Sequence, residues 1–337
     1  MPEMPQAAPI PDRPPLHLKG GYLAIASPDS IPEAAFSIPA IRALRAVRPM
    51  GTFVAVAPPP TAPLFRKMPE IKKVVEVSPA DSPRKIGQLL RETGIPFDSA
   101  ISWEDSSIAR AFAKIQIKQR LGFPKEKLAK FLTDPVAVSQ KAGPIQHRVQ
   151  DYLLFTKKLG ADPFQPSNFA TPERPPGPEK PLIAIAPGSD FGPAAQWPLE
   201  RFLEVASLFA EENDVIVLPS SDRCSPSKEL AKSLNLPLGE PDTESLLEQL
   251  GRCTALIAND SSLPHLASFV GTPSVVLFGP NEPEWKRPLG KIHKGIREHV
   301  ACSGCLLNKC PLDHRCMNEI ETKQVIRQAR EILGTTS

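Results

Sequence analysis

Apolar residues along this chain gather into short β-rich runs separated by stretches of helical spacing. The first half holds YLAIA (22–26), TFVAVA (52–57), KVVEV (73–77) and SAISW (99–103). Between them lie IPAIRALRAV (38–47), APLFRKM (62–68) and PRKIGQLLRET (83–93), and HRVQDYLLFTKKLGA (147–161) closes the half. Strands alternating with helices predict parallel βαβ units. Strands apolar at nearly every position predict a sheet covered on both faces. Residues 163–181 interrupt the pattern with seven prolines, which marks a domain boundary. A second series then follows, with strands at 182–187, 215–219, 254–259 and 273–280. Helices are expected at about 198–212, 225–234, 243–251, 261–270 and 321–333. The expected fold class is α/β: two Rossmann-like parallel-sheet domains, 20–162 and 182–337, joined by the 163–181 linker. A ligand then belongs in the cleft, at the carboxyl ends of the strands.

Composition narrows the function classes. Six prolines before Leu16 make residues 1–19 read as a flexible, polyproline-like tail. That start has no apolar signal core, and no run approaches the roughly 18 apolar residues of a membrane span. The expectation is therefore a cytoplasmic protein. A net charge of +3 gives no global field for nucleic acid, so none is expected as a partner.

Two segments carry candidate chemistry. In APGSDFGPAAQWPLERF (186–202) a strand gives way to a glycine-bearing loop and then a helix. Free backbone N–H groups and a helix N-terminus favour a phosphate there, with Gly188, Ser189, Asp190 and Gln196 as the nearby side chains and close-approach positions. The same features suit an ordinary strand-to-helix loop. In NDSSLPHLASFVGTPSVVLFGP (259–280), Asp260 and Ser261 open a helix on which His265 lies one turn further along. Such a cluster grips sugar hydroxyls, and it also serves as a helix N-cap.

In this order and separation, the two segments resemble the bacterial ADP-heptose:lipopolysaccharide heptosyltransferases of glycosyltransferase family 9. Members read P-G-A-x-x-G-x-x-K-x-W-P and later N-D-S-G-x-x-H-x-A-A. SIPAIRALRAVRP (37–49), QRLGF (119–123), LTDPV (132–136) and HRVQDYLLFTKKLGA fit more loosely, so the resemblance spans about residues 20–333. It implies the GT-B architecture and metal-independent, inverting transfer of heptose from ADP-heptose to the lipopolysaccharide inner core, with no cofactor for catalysis. It implies a nucleotide-sugar donor and an anionic glycan acceptor as partners, and leaves room for a peripheral contact at the inner membrane. By the same resemblance the donor side takes Gly188, Ser189, Asp190, Asp222, Asp260, Ser261, Ser262 and His265. Arg110, Arg120, Lys125 and Lys127 are candidates to face the acceptor, or else a solvated face.

Three departures strike the cleft. Counting back from Arg42, Glu33 takes the place of the family's aspartate base and Pro32 that of the preceding glycine, with Asp29 as a nearby substitute. Glu33 equally suits a helix's first turn. The lysine before Trp-Pro becomes Ala195, which removes a charge-assisted contact worth roughly 1.5–3 kcal/mol. Arg223 and Lys228 are candidates to compensate. Ser262 replaces the close-approach glycine. These losses leave two readings: an active transferase, or a catalytically impaired binding or scaffold protein in polysaccharide assembly.

The last motif is C-x2-C-x4-C-x5-C, made by Cys302, Cys305, Cys310 and Cys316. Four soft ligands in one loop suit a structural tetrahedral zinc or an iron–sulfur cluster. Free buried thiols or a local disulfide are the alternatives.

Overall fold

In this computed structural model, residues 16–138, 143–174, 179–220 and 225–334 are described. The first domain runs β1 (Tyr22–Ala26), α1 (Ile31–Val47), β2 (Thr52–Ala57), α2 (Ala62–Arg66), β3 (Lys73–Glu76), α3 (Pro83–Glu92), β4 (Ser99–Ser102), α4 (Ser107–Lys114), β5 (Gln119–Gly122), α5 (Glu126–Ala129), β6 (Asp134–Pro135) and α6 (Val149–Lys158). The second runs β7 (Leu182–Ala186), α7 (Leu199–Glu212), β8 (Asp214–Val217), α8 (Ser225–Leu234), α9 (Thr243–Arg252), β9 (Ala255–Asn259), α10 (Ser262–Val270), β10 (Ser274–Phe278), α11 (Pro283–Lys286), β11 (His293–Arg297), α12 (Arg315–Asn318) and α13 (Thr322–Leu333).

Each domain builds one sheet in which every pairing is parallel. Strand orders are β3-β2-β1-β4-β5-β6 and β11-β10-β9-β7-β8. The chain reverses its direction of travel between β1 and β4, and between β7 and β9. Those two switch points open crevices at the strands' carboxyl ends. Both face the junction of the domains, where α1 packs on α10. Phe36 of α1 meets His265 of α10 edge-on at 5.1 Å and His147 at 4.9 Å. One continuous apolar core runs from β1, α1 and α6 into α9, β9 and α10.

The expected strands appear within a residue or two, because burial on both faces makes them apolar throughout. The helix expected from residue 38 instead begins at Ile31. Pro32 lies in its first turn, where a missing N–H costs nothing. Its run IPEAAFS carries buried alanines and Phe36 on the faces turned to both domains. The pattern also passed over the short β5, β6 and β11. Leu16–Lys19, grouped with the tail by composition, are fastened to the first domain: the Leu16 amide donates to the Lys158 carbonyl at 2.9 Å, and Leu18 is buried.

Phe155 of α6 is fully buried against Trp103 and Phe123, with ring centroids 5.0 and 5.2 Å away. Phe155→Ala leaves a void that this aromatic group cannot close. It is expected to lower the urea unfolding free energy by about 3–5 kcal/mol.

Candidate active site

Glu33 stands in the first turn of α1, beside the first switch point. Its carboxylate accepts hydrogen bonds from Arg148 Nε at 3.1 Å, Arg148 Nη2 at 2.9 Å and the Tyr152 hydroxyl at 2.6 Å. Burial pushes this carboxyl up, but the bonds from Arg148 and Tyr152 and the charges of Arg148 and Lys286 outweigh it. The group stays below its ordinary range and ionised at neutral pH. Arg148 and Tyr152 lie one helical turn apart, so one face of the α6 region makes the whole clamp. Asp29 is exposed, and its amide donates to Glu104 Oε1 at 2.8 Å. Burial raises the carboxyls of both Asp29 and Glu104, and for Glu104 the charges of Asp29 and Glu33 add to the rise. Glu33, Glu104, Lys125, Arg148 and Tyr152 line a cavity of about 290 Å³. Of the other basic candidates, Arg110 is paired with Asp105, and the Arg120 guanidinium is bonded to the Phe131 and Ile117 carbonyls.

The second domain supplies the opposite wall. Buried Asn259, at the end of β9, accepts from the Trp197 amide at 3.0 Å and donates to the Pro187 carbonyl at 2.7 Å. That pins the 187–197 loop to the start of α10. Ser189 donates to the Asp260 carbonyl at 2.8 Å. The Asp190 carboxylate accepts from the Ser262 amide at 3.0 Å and from the Ser262 hydroxyl, so it fills the N-terminus of α10. Ser261 occupies the N-cap position but makes no side-chain cap bond. Gly192 holds φ at +137°, and a Cβ there would lie 2.5 Å from the Asn308 carbonyl oxygen. Gln196 lines a second cavity of about 310 Å³ with Trp197, Glu229 and His314. Gly188 is buried in the turn after β7. Asp222 and Arg223 lie outside the described residues.

Asp260 is buried and accepts from Asn281 Nδ2 at 2.5 Å. Burial pushes its carboxyl up to about 6; the Asp190 charge adds to this, while Asn281 and Lys286 oppose it. His265 is buried with Nδ1 unpartnered, and burial drives its ring down to about 3, so it is neutral.

Residues 281–287 tie the walls together. The Trp285 carbonyl accepts from the Arg148 amide at 2.9 Å, and the Arg287 carbonyl lies 2.7 Å from His147 Nε2. Asn281, which holds Asp260, and the two carbonyls that meet Arg148 and His147 thus lie on one short segment, with Lys286 among them.

A model of glycosyltransferase family 9 (heptosyltransferase) matches residues 84–315. The chain belongs to glycosyltransferase family 9. It is 26% identical over 289 residues to lipopolysaccharide heptosyltransferase 2 of Escherichia coli K12, covering 76% of this chain and 82% of that one. Among solved structures it resembles E. coli ADP-heptose lps heptosyltransferase II, with a TM-score of 0.75, 23% identity and 93% and 98% of the two chains covered. It also resembles E. coli heptosyltransferase WaaC with ADP, with a TM-score of 0.71, 16% identity and 92% and 99% covered. The two-domain α/β architecture is the GT-B fold of those heptosyltransferases.

Against that family pattern, Ala195 is fully buried in a short 3-10 turn and adds no charge to the 187–197 loop. The sulfur-rich loop lies behind that wall. The Asn308 carbonyl accepts from the Ala194 amide at 3.1 Å, and His314 Nε2 lies 2.7 Å from the Ala194 carbonyl. Cys302, Cys305, Cys310 and Cys316 are free thiols. Burial raises the Cys316 thiol, and the charges of the other three raise it further, so all four share one neighbourhood. Among the described residues, no group of three or more His, Cys, Asp or Glu side chains is arranged to hold a metal ion. The clamp residues Arg148 and Tyr152, together with Glu104, Asn281 and Lys286, were not singled out from sequence. The available signal was the four-residue spacing of Arg148 and Tyr152 along an amphipathic helix.

A carboxyl that holds its proton more tightly when folded contributes stability below its ordinary value of 3.8, and loses it as pH rises through about 6. Asp260→Asn keeps the neutral form. Its stability relative to wild type is expected to climb by up to about 3 kcal/mol between about pH 4 and about pH 7. A urea unfolding series across that range reads the difference; a difference independent of pH rules out the burial cost.

Proposed function

We propose that this chain is an inverting glycosyltransferase that moves a heptose-like sugar from ADP-heptose to a lipopolysaccharide-core-type acceptor. Family membership supports sugar transfer, and the ADP and ADP-heptose named for its relatives support the donor. The observation that carries the reading is Glu33: an ionised carboxylate, clamped by Arg148 and Tyr152, in the lining of a cavity of about 290 Å³.

In this mechanism Glu33 takes the proton of the acceptor hydroxyl. The freed oxygen forms a bond to the anomeric carbon from the face opposite the diphosphate. The bond from that carbon to the diphosphate oxygen breaks, its electron pair leaves with ADP, and the anomeric configuration inverts. Asp260, Ser261 and His265 position the sugar, and the loop carrying Gly188, Ser189 and Asp190 borders the diphosphate. Asp29 is exposed and outside the clamp, which favours Glu33 as the base.

One observation favours the second reading, a non-catalytic sugar-nucleotide-binding or scaffold protein. The N-terminus of α10 is already filled by Asp190, and Ala195 supplies no cation. Calorimetry with ADP-heptose and a transfer assay separate the two. We expect binding and turnover, with Glu33→Gln lowering transfer about 100-fold to 10,000-fold at unchanged donor affinity. Binding without turnover in the wild type selects the scaffold reading. A cytoplasmic location with peripheral contact at the inner membrane follows from the proposed acceptor. Among the described residues, no helix is long and apolar enough to cross a membrane.

The pH profile gives an independent check. Arg148 and Tyr152 hold Glu33 low, so the acid limb of kcat/KM is expected below the ordinary glutamate value of 4.5. Arg148→Ala removes the main opposing cause and leaves burial, so the limb is expected to move to higher pH. A limb unmoved by that change overturns the assignment of Glu33 as base.

The motif spacing and the shared neighbourhood of the four thiols support a structural zinc at Cys302, Cys305, Cys310 and Cys316, although their present arrangement is not a ligand set. Metal analysis of protein purified without chelator is expected to find about one zinc per chain. A metal-free protein that binds donor normally ends that proposal.

A further inference from the structure

The donor wall has an unbalanced charge. A nucleoside diphosphate brings at least two negative charges to a wall that already carries the carboxyls of Asp190 and Asp260. The helix N-terminus that would otherwise attract it already binds the Asp190 carboxylate. Ala195 is uncharged, and Arg297 and Arg315 are held by Glu282 and Asp313. Of the two cations that the sequence offers in exchange, Arg223 lies outside the described residues and Lys228 is exposed on α8, so another cation among the described residues has to meet the diphosphate.

Lys286 is placed for that task. It ends α11, between two carbonyls anchored to the first domain: Trp285, accepting from the Arg148 amide at 2.9 Å, and Arg287, beside His147 Nε2 at 2.7 Å. At the near end of the same segment, Asn281 holds Asp260. The backbone thus fixes Lys286 between the acceptor-side base and the donor-side carboxylate. Its side chain is half-buried. Among the described residues it enters no ion pair, and its ammonium stands 4.7 Å from the Trp285 ring centroid. Its charge reaches Glu33, Asp260 and His265, which belong to both walls. A cation on one flexible stem at that point can meet a phosphate without moving the backbone.

We propose that Lys286 binds the β-phosphate of the donor and supplies the leaving-group charge that the family pattern places at position 195. The proposal rests on the transferase reading above. In that role the ammonium takes up the charge that develops on the diphosphate as the sugar bond breaks.

Calorimetry with ADP and with AMP tests it on the full chain. Lys286→Gln is expected to weaken ADP binding about 10-fold to 100-fold while AMP affinity changes less than about twofold, because only ADP carries the β-phosphate. Lys286→Arg is expected to retain most of the ADP affinity. In the transfer assay Lys286→Gln is expected to lower kcat as well as raise the donor KM. Unchanged ADP binding in Lys286→Gln overturns the Lys286 assignment and leaves the transferase reading standing. Parallel losses for ADP and AMP overturn it too, because they mark a packing defect. A wild type that binds neither ADP nor ADP-heptose overturns both.

Discussion

Arg148 joins the two halves of this molecule through one residue. Its backbone amide donates to the Trp285 carbonyl of the second domain, while its guanidinium donates twice to Glu33 of the first. A half-buried carboxylate without such partners holds its proton more tightly, because desolvation disfavours the charged form. The clamp outweighs that effect and leaves an ionised, oriented carboxylate. The same residue registers the second domain, so the base's protonation state is tied to how the domains meet. Tyr152 completes the clamp, and burial keeps its own hydroxyl well above the ordinary phenol range, so it remains a donor.

The fold was legible because its strands are buried on both faces and its helices on one. YLAIA, TFVAVA and LIAIA leave little choice of environment. The start of α1 was harder to read. Pro32 and Glu33 look like a disrupted loop until the first-turn tolerance for proline is applied. The glycines of residues 187–197 made the turn after β7 legible as a loop. What those residues do locally was not legible, because Asp190 serves as a cap for a helix 72 residues further along the chain.

The losses at the site were easier to read than their compensations. A missing lysine at position 195 is visible as one letter. The arginine that restores order to Glu33 lies 115 residues from it, and the partner of Asp260 lies 21 residues beyond. Neither belongs to a short motif, and an arginine four residues from a tyrosine on an amphipathic helix is ordinary in sequence. Only the topology, which brings both switch points to one junction, makes them neighbours.

The electrostatics of the two walls differ in kind, and the difference bears on what the cleft can do. The acceptor wall spends two donors of Arg148 and one of Tyr152 on a single carboxylate, which fixes a charge before any ligand arrives. The donor wall keeps Asp260 in a buried place where ionisation is costly, beside a neutral His265 with an unpartnered nitrogen. A polar ligand entering there gains more than it would at a surface, because the wall's own groups are incompletely satisfied. An anion gains only if a positive group is near enough to offset both acids. The segment 281–287 meets that condition through the backbone: the bonds that seat it on Arg148, His147 and Asp260 also hold a cationic side chain at the mouth of the cleft. An ionised carboxylate on one side of the junction and, among the described residues, an ammonium outside any ion pair are charges that packing alone does not require. On the transferase reading proposed above, the carboxylate serves as base and the ammonium meets the leaving diphosphate.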